Sequence, residues 1–197
     1  MKLYQALLPL AAAIAMAGCS GGRGQAQAVI GQAENVITQV KEEATMTAPA
    51  EFKAAEGTLA NMKQNFESKE YQAVLDEVPQ FNAQIETMKS AAETNQLAAA
   101  EWTVLNGEVS KSIEEIQARV DSIKPEALPK DVTREELETA KTDLETMKAT
   151  LSEASAEAQA SKPQEALAKG RTVQAKANEL KNVLGMNETL ASAQLPQ

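Results

Sequence analysis

From Ala28 onward the apolar residues recur at intervals of three and four, and no strand-like alternation of useful length interrupts them. That period lines one face of a helix with apolar side chains and leaves the other to water, so the chain must fold as packed amphipathic helices. The first stripe is Val29, Ala33, Val36 and Val40, reinforced by Ile30 and Ile37. The second, Phe52, Ala55, Leu59, Met62 and Phe66, opens shortly after Pro49, a residue suited to a helix's first turn. A hairpin turn at 67–69, with Ser68 as candidate N-cap, leads to a third stripe of Tyr71, Val74, Val78, Phe81, Ile85, Met88 and Ala92. It passes through Pro79, where a lost hydrogen bond predicts a kink but not a stop. The fourth stripe is Trp102, Leu105, Val109, Ile113, Ile116, Val120 and Ile123. Stripes three and four keep one register and could form a single helix of about 53 residues, roughly 80 Å long, but a break between Ala98 and Gly107 that folds one back on the other is the favoured reading.

Pro125 and Pro129 punctuate the next connection. Thr133-Arg134-Glu135-Glu136 then reads as a capping box, in which hydroxyl and carboxylate satisfy the orphan amides of a helix start reciprocally. The fifth helix follows on Leu137, Ala140, Leu144, Met147, Leu151, Ala154 and Ala158. The sixth opens at Ser161-Lys162-Pro163-Gln164, carries Ala166, Val173, Ala177, Leu180 and Leu184, and ends at Gly185. Alanine supplies 36 of the 197 residues. It is the best helix former and buries little area, which favours helices in close contact through small side chains. The expected fold is therefore all-α, an elongated bundle of about five to six helices over 28–185, with 186–197 as a disordered tail.

Two segments repeat. Ala55, Leu59, Met62 and Lys63 match Ala140, Leu144, Met147 and Lys148 at an offset of 85, whereas Phe81, Ala83, Met88 and Lys89 match Val173, Ala175, Leu180 and Lys181 at 92. Ser68-Lys69 matches Ser161-Lys162 at 93, and the first-helix pair Ala33-Glu34 and Ile113-Glu114 matches at 80. An insertion of seven or eight residues at the hairpin tip, about two helical turns, accounts for the change of offset and would make the second hairpin longer. Two related helical-hairpin halves, 28–98 and 102–185, are expected.

Chemistry is sparse. The chain has no histidine, which removes the commonest general base, the commonest metal ligand and every Ser-His or Cys-His pair. No metal or cofactor is expected, and no enzymatic activity. A net charge of -9 and a pI near 4.7 argue against nucleic acid, whose phosphates require a basic patch. The carboxylate pairs Glu42-Glu43, Glu114-Glu115 and Glu135-Glu136 diverge by about 100° on a helix and do not converge on one substrate atom. Among large side chains, Trp102, Phe66, Tyr71 and Phe81 are the candidates for partner or ligand contact. They serve equally well as core, since each stands on a stripe.

The N-terminus is the most specific signal. Lys2 supplies a positive start, Leu3 to Ala17 an apolar run too short to span a bilayer, and Met16-Ala17-Gly18-Cys19 closes it. This ending resembles the lipobox of bacterial lipoproteins and departs from it at Met16, where leucine is usual. Ala15-Met16-Ala17 also satisfies the ordinary small-x-small cleavage pattern, which would leave Cys19 as a free thiol. The resemblance implies a signal peptide at 1–18, cleavage before Cys19, and acylation of Cys19 by two or three chains such as palmitate, enough for stable anchoring. A lipidated Cys19 and a Gly-rich tether are then expected over 19–27. Ser20 after the cysteine, in place of aspartate, implies the outer membrane facing the periplasm. The expectation is a non-enzymatic envelope lipoprotein held to the membrane by its N-terminal lipid anchor, with an envelope protein as partner. The alternative is a periplasmic carrier or chaperone holding an apolar ligand between its helices.

Overall fold

A computed structural model describes residues 22–124, 126–130 and 132–186. Six helices follow one another: α1 (Gly22–Thr47), α2 (Pro49–Glu67), α3 (Tyr71–Asp76), α4 (Val78–Ser122), α5 (Arg134–Gln159) and α6 (Pro163–Val183). The class is all-α. No strand occurs among the described residues, and an isolated bridge between Lys124 and Ala127 lies in the connection after α4. Contacts divide the chain after Gln96 into two compact units.

The first unit holds α1, α2, α3 and the start of α4. Only Ala48 separates α1 from α2, and it is fully buried. Its N–H donates to Ala44 O at 2.8 Å and its carbonyl accepts from Phe52 N at 2.9 Å, so the helical hydrogen bonding nearly continues around the corner. Pro49, lacking an N–H, takes the first helical position where none is needed. The hairpin brings the C-terminal end of α2 back to the start of α1, and Lys63 Nζ crosses to Glu34 at 2.7 Å. Met62, Phe81 and Met88 are fully buried at the centre of the core. Asn95 donates to Thr47 O at 2.8 Å and Gln96 to Glu43 Oε1 at 2.7 Å, which ties α4 to the end of α1.

The second unit holds the rest of α4 with α5 and α6. Thr133 and Glu136 form the expected capping box, with Glu136 N donating to Thr133 Oγ1 at 3.2 Å and Thr133 N to Glu136 Oε2 at 2.8 Å. Val132 is buried and Leu128 packs on the same core, so the Pro-punctuated connection is fastened to the unit it serves.

Four expectations need correction. α4 runs unbroken through 98–107, because Ala98, Ala99 and Ala100 are strong helix formers and Gly107 alone costs only about 1 kcal/mol. Ala98, Trp102, Leu105 and Val109 are all buried on its continuous face. Near Pro79 the helix is interrupted at Glu77 rather than merely kinked, since the proline has no N–H to offer the carbonyl of Leu75 and its ring crowds that turn. Ser68 closes α2 as its C-cap instead of opening the next helix. Finally, Gly22–Gln27, expected as tether, is the first part of α1.

The two hairpins share their closing turn. Lys69 and Ser161, 92 positions apart, both adopt left-handed backbone, with φ of 66° and 61°. Each lets the next amide reach back: Glu70 N to Asn65 O at 2.8 Å, and Lys162 N to Glu157 O at 2.9 Å. α2 has 19 residues and α5 has 26, a difference of seven, so the added two turns lie within α5. In the first helix of each unit, buried Ala26, Val29, Ala33, Ile37, Val40 and Ala44 match buried Trp102, Leu105, Val109, Ile113, Ile116 and Val120 at an offset of 76. The expected 80 is one helical turn away, a slip that a three-four pattern barely registers.

Among the described glycines, Gly170 leaves the least room for a side chain. A Cβ there would stand 2.7 Å from Cζ3 of Trp102 and 3.0 Å from Cδ2 of Leu105, whereas one on Gly57 would meet nothing within 4 Å. Gly170→Ala is therefore expected to destabilise the protein by about 1–3 kcal/mol. Gly57→Ala should stabilise it by about 0.5–1 kcal/mol, since Gly57 is helical and its Cβ would be free. Urea unfolding of both variants checks the pair, and a harmless Gly170→Ala would show that the Trp102 ring can move aside.

Candidate functional site

Cys19 lies outside the described residues. What is fixed is the start of α1 at Gly22, three residues further on, a separation that a fully extended chain spans in roughly 10 Å. The end of the first unit where α1 starts also holds the turn between α2 and α3. Gly22 sits against Tyr71, its ideal Cβ position 3.6 Å from Tyr71 Cβ. Tyr71 in turn meets Phe66, with ring centroids 5.4 Å apart and planes tilted by 59°.

The four candidate aromatics divide accordingly. Phe66 and Tyr71 are half-buried at that end of the first unit. Phe81 is fully buried in the same core and takes no part in any surface. Trp102 is only 7% exposed and packs in the second unit with Ala154 and Ala166, against Gly170. Phe81 and Trp102 are thus committed to packing, and only the Phe66–Tyr71 pair keeps surface for a contact.

Each carboxylate pair has one member engaged in structure. Glu43 accepts from Gln96, Glu136 closes the capping box, and Glu115 accepts from Lys181 Nζ at 2.7 Å. Lys181 also donates to Ser112 Oγ at 3.0 Å, a Ser–Lys approach that sequence reading missed. Through these two contacts Lys181 joins α6 to α4. Its only sequence signal is the position of Lys181 beside Leu180 at the edge of a buried stripe. Glu77 was missed likewise: it interrupts the helix before Pro79 and accepts from Asn65 Nδ2 at 2.8 Å.

A cleft of about 240 Å³ lies between α5 and α6, lined by residues including Glu135, Glu136, Asp143, Lys176 and Glu179. It is smaller than the ~300–1,000 Å³ usual for small-molecule sites. Lys176 already bridges Asp143 at 3.0 Å and Glu179 at 3.1 Å, and those carboxylates hold its ammonium above the ordinary lysine value of 10.5. Among the described residues no group of three or more His, Cys, Asp or Glu side chains is placed to hold a metal ion. Among the described residues the large apolar side chains that stand in water are Met46, Leu97 and Val104, and the last two flank Glu101, which is paired with Arg171. No helix among the described residues is long and apolar enough to cross a membrane.

No family model matches the sequence, and comparison with curated proteins and with solved structures found no match.

Lys181 holds the Glu115 carboxyl below its ordinary value near 4.5, first through the hydrogen bond and then through Coulomb attraction, with Lys111 adding to it. A carboxyl lowered in the folded state contributes stability above its unfolded value and loses that contribution as pH falls through the folded one. Glu115 is 43% exposed, so the contribution is a fraction of a kcal/mol, roughly 0.2–1. Glu115→Gln should lower stability near neutral pH by that amount and by less near pH ~3, since protonation on acidification removes the wild-type advantage. Urea unfolding at both pH values reads the difference, and an identical loss at both would show that packing, not charge, is at stake.

Proposed function

We propose that this chain is a membrane-anchored envelope lipoprotein of a bacterium, acting as a non-enzymatic structural, adapter or protein-binding component. The observation that carries the reading is Met16-Ala17-Gly18-Cys19 at the end of a short apolar run, with Cys19 the only cysteine in the chain. A single cysteine has no intramolecular disulfide partner, and acylation is the one use its setting offers. In this reading the lipid on Cys19 holds the chain in the outer membrane, facing the periplasm, as Ser20 after the cysteine implies.

The adapter role is supported by how the polar residues are spent. Ion pairs such as Lys63–Glu34, Lys176–Asp143 and Lys181–Glu115 join helix to helix, and the carboxylate pairs converge on no common point. What remains for recognition is an acidic helical surface, and the net charge of -9 favours an envelope protein partner with a basic face. The burial of Phe81 and Trp102 removes two of the four rings that a carrier groove would need.

Intact-mass measurement and membrane fractionation of wild type and Cys19→Ala test the anchor. The wild type should be heavier than the chain from Cys19 by two or three acyl groups and sediment with membranes, while Cys19→Ala should be folded and free in the periplasm. A Cys19→Ala protein that remains in the membrane fraction would refute the reading. Crosslinking of the acylated protein in its own envelope tests the adapter role, with crosslinks concentrated on one envelope protein as the expected result.

A further inference from the structure

The short link between Cys19 and α1 has a consequence for the surface beside it. We infer that the end of the first unit formed by the start of α1 and the turn between α2 and α3 is a lipid-contacting surface, seated on the headgroups of the leaflet that holds the Cys19 acyl chains. The inference rests on the anchored reading of Cys19.

Three observations lead there. First, Gly22 is already helical and Ala26 is fully buried, so only Ser20 and Gly21 stand between the acylated cysteine and a packed helix, a reach of roughly 10 Å from Cys19 to Gly22. A headgroup layer takes up about 5–7 Å on each face, so this reach crosses it with only a few ångströms to spare, and this end can stand off from the surface by no more than about one layer of water. Second, the side chains gathered there suit an interface. Phe66 and Tyr71 form a half-buried aromatic pair, and an amphipathic ring with a polar tip is the side chain that settles at headgroup level. Third, the charge is right. Arg23 and Lys69 are exposed and make no ion pair among the described residues, and they balance Glu67 and Glu70 locally in a chain whose net charge is -9. Lys69, at the tip of the turn and in left-handed backbone, extends from the same end. An end of this kind meets anionic headgroups without the repulsion that the acidic remainder would bring.

The opposite end of the hairpin serves as the internal control. α1 has 26 residues and is about 39 Å long, so Pro49 and Ala50 at the far corner are separated from the Ser68 turn by most of that length. Because acylation blocks Cys19, a new cysteine can be labelled alone. Ser68→Cys and Ala50→Cys, both at exposed positions, are made in the full-length acylated protein, labelled with an environment-sensitive fluorophore and reconstituted into vesicles of phosphatidylethanolamine and phosphatidylglycerol carrying a headgroup spin label. The Ser68 label should lose most of its fluorescence and the Ala50 label should keep its own. Intact mass of the same samples separates the two readings. Acylated, vesicle-bound protein whose Ser68 label is quenched no more than its Ala50 label overturns this inference and leaves the anchor standing. Protein that carries no acyl chains overturns the anchor and this inference with it.

Discussion

The close approach of helices through alanine is the constraint on which the rest of the structure depends. Eleven of the thirty-eight buried apolar positions among the described residues are alanine, including Ala26, Ala33, Ala44 and Ala48 along α1 and its corner. A methyl group buries little area, so each contact contributes little hydrophobic free energy by itself. It compensates by letting neighbouring backbones approach, which multiplies dispersion contacts along the whole length of a helix pair. The large side chains are then needed only at intervals: Met62, Phe81 and Met88 fill the centre of the first unit, and Trp102 reaches the space that Gly170 leaves open. A chain built this way is sensitive to added volume at its small positions and tolerant at its exposed ones.

How much of this was legible follows from which forces act locally. The three-four periodicity marked the inward side of the helices, with every residue of the stripe from Trp102 to Ile123 buried, and the Thr133–Glu136 box marked a helix start, because both depend on residues within one or two turns. Where tertiary contact decides, reading failed. Gly22, Arg23 and Gly24 look like tether by propensity, yet they are helical because Ala26, Val29 and Ile30 just beyond them are buried and Gly22 packs on Tyr71. The absent break in α4 shows the opposite case: the apolar register shared across 78–122 is local, and it continues through Ala98, Ala99 and Ala100 as one helix. Of the candidate aromatics, sequence could place all four on stripes but could not tell the half-buried Phe66 and Tyr71 from the buried Phe81 and Trp102, since depth in a core is a property of what packs against the stripe.

The two closing turns show why a repeat is readable in part. Lys69 and Ser161 hold left-handed backbone without glycine, at some energetic cost, because the amides that follow them satisfy carbonyls at the ends of α2 and α5. Composition gives no hint of this, as neither residue type favours that conformation. The offset between them was misjudged by one because identical Ser-Lys letters drew the alignment to 93, whereas the backbone places Lys69 opposite Ser161. Seven residues added within α5 preserve the buried stripe because two turns restore the face, so length can change here while the pattern survives.

A helix that starts three residues from its attachment point behaves differently from one on a long tether. In the anchored reading, a loose linker would let the bundle sample all orientations and would separate anchoring from recognition. With Gly22 against Tyr71 and Ala26 fully buried, a displacement of the N-terminus acts at once on the core of the first unit. Lys63–Glu34 and the Asn65–Glu77 contact brace the same region from α2, so the start of α1 cannot peel away without uncovering apolar residues and breaking those contacts. The orientation of an anchored first unit is then restricted by its own packing. A restricted orientation raises the effective concentration of whichever face is turned outward toward a partner, which lets a weak acidic surface act as a selective one.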